Sequence, residues 1–324
     1  MRYACEKHII IIKTLVGLVF AGLGFDPAAF GATIYVGNQG SNSISVIDSV
    51  TRQVTDTIPL STTNPHNLTL SADGRTLYVA NVGSSNVLVF DIGSRKELAA
   101  IPAGTKTHGV TVSPDGKFLY TANVGSNTVS IIDLSTHQVV DTIAVGKKPM
   151  LIVFTPDGRQ AYVSNGGSAD VMVVDLVTRK VLTSIFAGKD VMGTAITPDG
   201  KEVWVTEGGE NMVSVIDVAT NKIAYDIPVG TEAHGLAMSP DGRLVAVTNR
   251  QGNTVSLVNV ASHLVIDTIA VGRRPDILAF SPDGKELCVT SRDTGTVEVI
   301  DVPGRKVVAS IPVGKDPHGI TVAP

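Results

Sequence analysis

Ser71-Ala72-Asp73-Gly74, Ser113-Pro114-Asp115-Gly116, Thr155-Pro156-Asp157-Gly158, Thr197-Pro198-Asp199-Gly200, Ser239-Pro240-Asp241-Gly242 and Ser281-Pro282-Asp283-Gly284 recur at intervals of 42 residues without slippage. Proline at the second position of this tetrapeptide presets φ and glycine at the fourth tolerates positive φ, so each copy is a tight turn. Outward from the second copy, an apolar run at Val110–Val112 precedes the turn and Phe118–Asn123 follows it. A Gly-Ser-Asn loop, Val129–Asp133, a polar hairpin and Val139–Val145 complete the unit. Four short antiparallel strands per 42 residues, repeated around a closed ring, define one blade of a β-propeller.

Asp48, Asp91, Asp133, Asp175, Asp217, Asn259 and Asp301 share one phase and count seven blades. Thr33–Val36 reads as the second strand of a blade and Gly319–Val322 as the first strand of one. One C-terminal strand and three N-terminal strands are therefore expected to complete a single blade, which leaves no sheet edge open at the chain ends. The predicted class is all-β, a seven-bladed propeller of four-stranded antiparallel blades over residues 32–324.

The first 31 residues read as an export signal. Arg2, Lys7 and Lys13 precede an apolar run ending at Phe25, and Ala29-Phe30-Gly31 has the small residues of a cleavage site. The run is too short to span a bilayer, so the expectation is a periplasmic or secreted protein with no membrane span after cleavage. Cys5 leaves with the signal and Cys288 remains alone, which excludes an internal disulfide. The net charge of −4 supplies no global basic field for nucleic acid or an anionic membrane.

Tyr35-Val36-Gly37-Asn38, Tyr78-Val79-Ala80-Asn81, Tyr120-Thr121-Ala122-Asn123 and Tyr162-Val163-Ser164-Asn165, each followed by a Gly/Ser/Asn loop, resemble the repeat of the YVTN β-propeller family. The resemblance extends over essentially the whole chain after the signal. It implies a bacterial or archaeal exported propeller, with a seven-repeat subgroup that accompanies PQQ-dependent alcohol oxidation. The family carries a fold and a compartment but no agreed activity.

Function is therefore sought where one repeat departs from the others. The residues opening the innermost strands are His66, His108, Met150, Met192, His234, Asp276 and His318, a ring of seven side chains that can all ligate metal. Imidazole, thioether and carboxylate donors suit copper or another transition metal better than calcium or magnesium. Seven points around a channel cannot all reach one ion, so His66, His108 and His318, contiguous around the ring, form the expected trio. The competing reading is that the histidines hydrogen-bond the neighbouring blade's backbone and recur by inheritance.

The second strands end in asparagine except at Glu207 and Ser291, and Trp204 stands where most repeats carry tyrosine. Glu207, Arg250 and Arg292 are the expected members of a ligand pocket, with Arg273, Arg274, Lys147 and Lys148 forming a cationic collar that steers a small anion. The loops lack the stacking aromatics of a nucleic-acid platform, which ranks nucleic acid below small anions. No nucleophile elbow, zinc-protease motif, redox Cys pair or phosphate loop is present. The expectation is a non-catalytic binding propeller that docks a small ligand, a metal or a periplasmic redox protein. The alternative is a lyase or lactonase in which His234 is paired with an acid such as Glu207.

Overall fold

The computed structural model describes residues 31–323; the export signal read in the first 31 residues lies outside them but for Gly31. Among the described residues there are 28 strands, numbered here β1–β28 in chain order, arranged in seven four-stranded sheets. Each sheet is antiparallel with neighbours in sequence paired to each other. Blade 1 is the exception that closes the ring. It pairs β28 (Pro317–Ala323) with β1 (Thr33–Asn38), followed by β2 (Ser43–Asp48) and β3 (Gln53–Pro59). Ile34 opposes Val322 and Tyr35 opposes Thr321 across that seam. The fold is the expected seven-bladed propeller, with the expected closure. No described helix is long and apolar enough to cross a membrane.

The turn chemistry is uniform. Ser113 donates from Oγ to Asp115 Oδ1 (2.6 Å) and accepts from the Phe118 amide (3.0 Å), while Asp115 Oδ1 accepts from the Lys117 amide (3.1 Å). Gly116 has φ +70°, a conformation that costs a side-chain-bearing residue energy. The six aspartates of this phase are turn formers, and serine or threonine hydroxyls hold their carboxyls below the ordinary range.

The core lies between blades rather than within one. Tyr120, Val129, Ile131 and Ile143 of blade 3 pack with Ile152, Phe154, Ala161 and Val163 of blade 4, and the same arrangement recurs around the ring. A blade is apolar on both faces of its second and third strands because each face meets a neighbour.

The asparagine phase closing the second strands is structural. Asn38 donates from Nδ2 to Ser43 (3.1 Å) and Ser45 (3.0 Å), and Asn249 donates to Thr254 and Ser256 (both 2.9 Å). These amides are fully buried and tie the second strand to the third. The glycine that follows four of the seven ring positions, Gly109, Gly193, Gly235 and Gly319, answers to blade spacing. A Cβ on Gly235 would collide with the backbone carbonyl of Asp276 in the next blade. Gly235→Ala is accordingly expected to cost about 1–3 kcal/mol by overpacking, read as a lowered calorimetric Tm; an unchanged Tm would mean that the inner strands can separate freely.

Candidate functional site

The ring residues open the inner strands β28, β4 (Pro65–Leu70), β8 (Thr107–Val112), β12 (Pro149–Phe154), β16 (Val191–Ile196), β20 (Ala233–Met238) and β24 (Pro275–Phe280). In β28, β4, β8 and β12 the residue is the second of the strand, as it is in β16, β20 and β24, so all seven side chains share one height. Hydroxyls of the preceding blade pin several of their carbonyls: Thr206 to His234 (2.7 Å), Thr248 to Asp276 (2.7 Å) and Thr290 to His318 (2.8 Å).

The ring divides into two chemically distinct halves. On one side Asp276, with no exposed surface, is the hub of a charged cluster. Arg250 Nη2 donates to both its oxygens (2.7 and 2.8 Å), and Arg292 Nη1 donates to Oδ2 (3.0 Å). His234 Nε2 lies 2.9 Å from Oδ1 and His318 Nε2 lies 3.5 Å from Oδ2. Arg292 continues outward to Asp316 through Nε and Nη2 (both 2.6 Å) and to Gln39 Oε1 (2.6 Å). The cluster thus joins blade 6 to blade 7 and blade 7 to blade 1, beside the seam where the chain ends meet. Burial by itself raises the Asp276 carboxyl, but His318, His234 and the Arg250 guanidinium outweigh it and hold the group well below the carboxylate range. Asp276 is ionised at neutral pH.

The other half is neutral. His66 and His108 lie with ring centroids 3.7 Å apart and tilted by 42°, His66 and His318 at 3.5 Å and 43°, and Met150 and Met192 follow around the channel. Desolvation lowers all four histidines: His108 to about 4, His66 and His318 well below the ordinary value, and His234 less far because Asp276 opposes the burial. Two of the four make the backbone contact that inheritance alone would preserve, since Nδ1 of His108 meets the Met150 carbonyl (3.1 Å) and Nδ1 of His318 meets the His66 carbonyl (3.0 Å). His234 instead engages Asp276, and His66 Nδ1 has no partner among the described residues.

The trio anticipated for metal, His66, His108 and His318, is not the closest-gathered set of ligand atoms among the described residues. That set is His234, Asp276 and His318, whose atoms lie within 4.8 Å of one another. Its carboxylate already accepts from two guanidiniums, so a cation there would meet two like charges.

Above His234 opens a cleft of about 530 Å³ between blades 5 and 6, with Asp190, Met192, Glu232, His234, Arg250 and Gln251 in its walls. Its volume is of the order that holds a small metabolite. Arg250 is 13% exposed at its side chain and lies 3.7 Å from Glu232. A somewhat larger hollow of about 610 Å³ beside blade 1 is lined by serines, prolines and Lys315 and holds no acid–base pair. It is the chemistry, not the size, that selects the cleft over His234.

The remaining sequence candidates are dispersed. Glu207 does not meet His234 or Arg250: it occupies the buried asparagine position of blade 5, where Ser214 donates to its Oε1 and also lies 2.6 Å from Asp226. A hydroxyl has one proton to give, and burial raises the Glu207 carboxyl, with Ser214 opposing and Asp226 adding to the rise. Glu207 therefore ties strands together as asparagine does elsewhere. Lys147, Lys148, Arg273 and Arg274 stand exposed on loops of blades 4 and 7, outside the cleft lining. Trp204 is fully buried between blades, as its position in a strand suggests, and donates from Nε1 to Glu202 (3.0 Å). His263, at a hairpin tip, is stacked on Tyr225 (3.8 Å) and held by Glu202 (3.1 Å).

Asp276 as the hub was missed as such by the sequence reading. The signal was available: it is the lone acid in a His/Met phase, and Arg250 and Arg292 stand at the same loop position of successive blades, 42 residues apart.

Comparison with known proteins agrees with the fold. The profile of the YNCE-like β-propeller family matches residues 189–323, and that of the seven-bladed β-propeller lactonases matches residues 28–99 and 94–187. Each covers less than half of the chain. No protein of curated function matches. Among solved structures, hydrazine synthase of Kuenenia stuttgartiensis is similar at TM-score 0.72 and 24% identity, over 80% of this chain and 90% of that one. A functionally unknown protein from Desulfotomaculum acetoxidans DSM 771 is similar at TM-score 0.80 and 15% identity, over 90% and 99%. A putative 6-phosphogluconolactonase from Bacteroides fragilis NCTC 9343 is similar at TM-score 0.76 and 19% identity, over 91% and 98%. At these identities the likeness is one of fold. The chain is a β-propeller repeat protein.

Proposed function

We propose that this seven-bladed propeller hydrolyses a small lactone or comparably activated ester in the cleft between blades 5 and 6, with His234 as general base. The observation that carries the reading is the contact of His234 Nε2 with the buried, ionised Asp276 at 2.9 Å on the floor of a cleft that Arg250 also lines. A carboxylate can only accept, so the proton resides on Nε2 and the lone pair on Nδ1. Burial keeps the imidazole neutral near pH 7, the state a base requires. Nδ1 takes a proton from water as the water oxygen bonds to the carbonyl carbon. The ring C–O bond then breaks, and the proton passes to the departing alkoxide to give a hydroxy acid. Arg250 supplies positive charge for the developing oxyanion or for an anionic group on the substrate. The lactonase profile and the lactonase-like structural neighbour raise the prior for this chemistry without assigning it. On the signal read in residues 1–31 we assign the reaction to the periplasm or the exterior.

The test is a pH-stat assay with δ- and γ-lactones, with and without a carboxylate or phosphate substituent. The expected result is turnover that falls as the medium is acidified and His234 protonates, and that drops about 10²–10⁴-fold in His234→Gln. Absence of turnover above background across the panel would end the reading. A second reading, non-catalytic docking of a small anion or of a periplasmic redox partner, is favoured by one observation: His234, Arg250 and Asp276 all fall outside the segment matched by the lactonase profile. Calorimetric binding of an anion without turnover would select it.

A further inference from the structure

Apart from Met192, which also lines the cleft, the neutral half of the ring is not used by the proposed hydrolysis, and inheritance does not explain the placement of His66 in it. A backbone carbonyl only accepts, so the contact of His108 Nδ1 with the Met150 carbonyl fixes the proton on Nδ1 and the lone pair on Nε2. His66 departs from this pattern. It is 8% exposed, and its Nδ1 is buried with no partner among the described residues. Its equivalent in the neighbouring blade, His318, does make the corresponding carbonyl contact, with His66 as acceptor. An unsatisfied buried nitrogen in a native core calls for a ligand or a water.

The space beside these rings is a small cavity of about 10 Å³, lined by His66, His108, Met150, Met192, His234 and His318, among others. That is room for a single atom-sized occupant and no more. The two methionine side chains converge on one spot: a Cβ placed on Gly166 would be 3.5 Å from Met150 Cγ and 3.7 Å from Met192 Sδ. His108 and Met192 are only partly buried, so the cavity is reached from the channel mouth.

We propose that His66, His108, Met150 and Met192 form a binding site for a single monovalent copper ion in the central channel. Imidazole with thioether and no carboxylate is a soft donor set, which selects Cu(I) over zinc, calcium or magnesium. The charge environment points the same way. Arg250 and Arg292 stand behind Asp276 on the opposite side of the channel, and a single positive charge meets less repulsion from them than a double one. The site is distinct from the His234–Asp276–His318 cluster, whose carboxylate is held by the arginines.

The experiment is an anaerobic titration of the chelator-stripped protein with Cu(I) against a colorimetric Cu(I) chelator, followed by X-ray absorption at the copper edge. The expected result is one equivalent bound, with mixed nitrogen and sulfur scatterers. Met150→Leu combined with Met192→Leu should weaken binding about 10-fold or more while far-UV circular dichroism and Tm stay unchanged, because leucine conserves the volume. His66→Asn serves as an independent variant and should weaken binding likewise. No retained copper, copper with nitrogen scatterers alone, or an affinity indifferent to both variants would overturn the proposal and leave a water in the cavity. Since neither Met150 nor His66 takes part in the hydrolysis, lactone turnover by the stripped protein tests that reading separately.

Discussion

Replacing Asp276 with alanine is expected to destabilise the propeller by about 3–5 kcal/mol, the effect of removing one partner from a buried ion cluster. Arg250 and Arg292 approach the same carboxylate from two blades and are nearly enclosed, with side chains 13% and 12% exposed. Without it, two guanidiniums face each other in a site from which water is largely excluded, and Arg250 is left with Glu232 at 3.7 Å as its nearest acid. Arg292 retains Asp316 and Gln39. The loss should therefore fall mainly on the contact between blades 6 and 7, and local opening there should appear first in amide hydrogen exchange. Urea unfolding of the wild type and of Asp276→Ala measures the total. A difference under about 1 kcal/mol would mean that the arginines find solvent, as exposed pairs do. Asp276→Asn conserves the shape and separates charge from packing: if it behaves like the alanine variant, the carboxylate charge is what holds the cluster. In Asp276→Ala His234 loses the acceptor that fixes its tautomer, and in Asp276→Asn that acceptor loses its charge and shares its place with an amide donor, so lactone turnover should fall even in the folded fraction.

Acidification is expected to unfold the protein over an unusually mild range. Burial lowers His66, His108, His234 and His318 below 6.5 in the folded state. A histidine depressed by folding binds protons in the unfolded chain first. Its contribution is whole above about pH 6.5 and declines as the pH falls toward the folded value, which for His108 is about 4. While only the unfolded form is protonated, each histidine costs about 1.4 kcal/mol per pH unit, so four together approach ~5 kcal/mol per unit. Asp276 adds its loss lower down, because a depressed carboxyl contributes fully above its unfolded value of 3.8 and fails only as pH drops through the folded one. Unfolding free energies of chelator-stripped protein at pH 7 and pH 5 should differ by several kcal/mol. His66→Asn should lower the slope by close to one proton. Stability that is flat between those two pH values would show that the ring is hydrated and its histidines titrate normally.

The two readings of the ring histidines both have a share in the structure. His108 and His318 do what the inheritance argument requires, binding the carbonyl of the next blade, whereas His234 is diverted to Asp276 and His66 Nδ1 meets no partner among the described residues. Identical residues in identical phase thus have three different environments. Glu207 teaches the converse. It departs from its phase in sequence but keeps the role of that phase in space, accepting from Ser214 where Asn249 donates to Ser256.

From the sequence by itself came the strands, the turns, the count of seven blades, the closing pairing of β28 with β1, and the seven residues that crowd the channel. These follow from a 42-residue period because alternation, turn residues and strand length are local, and repetition propagates one local solution around the ring. What only the tertiary structure decided is which of the seven touch. Ring closure brings Asp276 against His234, His318, Arg250 and Arg292, and leaves His66 Nδ1 without a partner among the described residues. The period sets where each Cα stands. The direction of each side chain is set by the charges and volumes that its neighbours in the adjoining blades present, and around a closed ring those neighbours differ at every position.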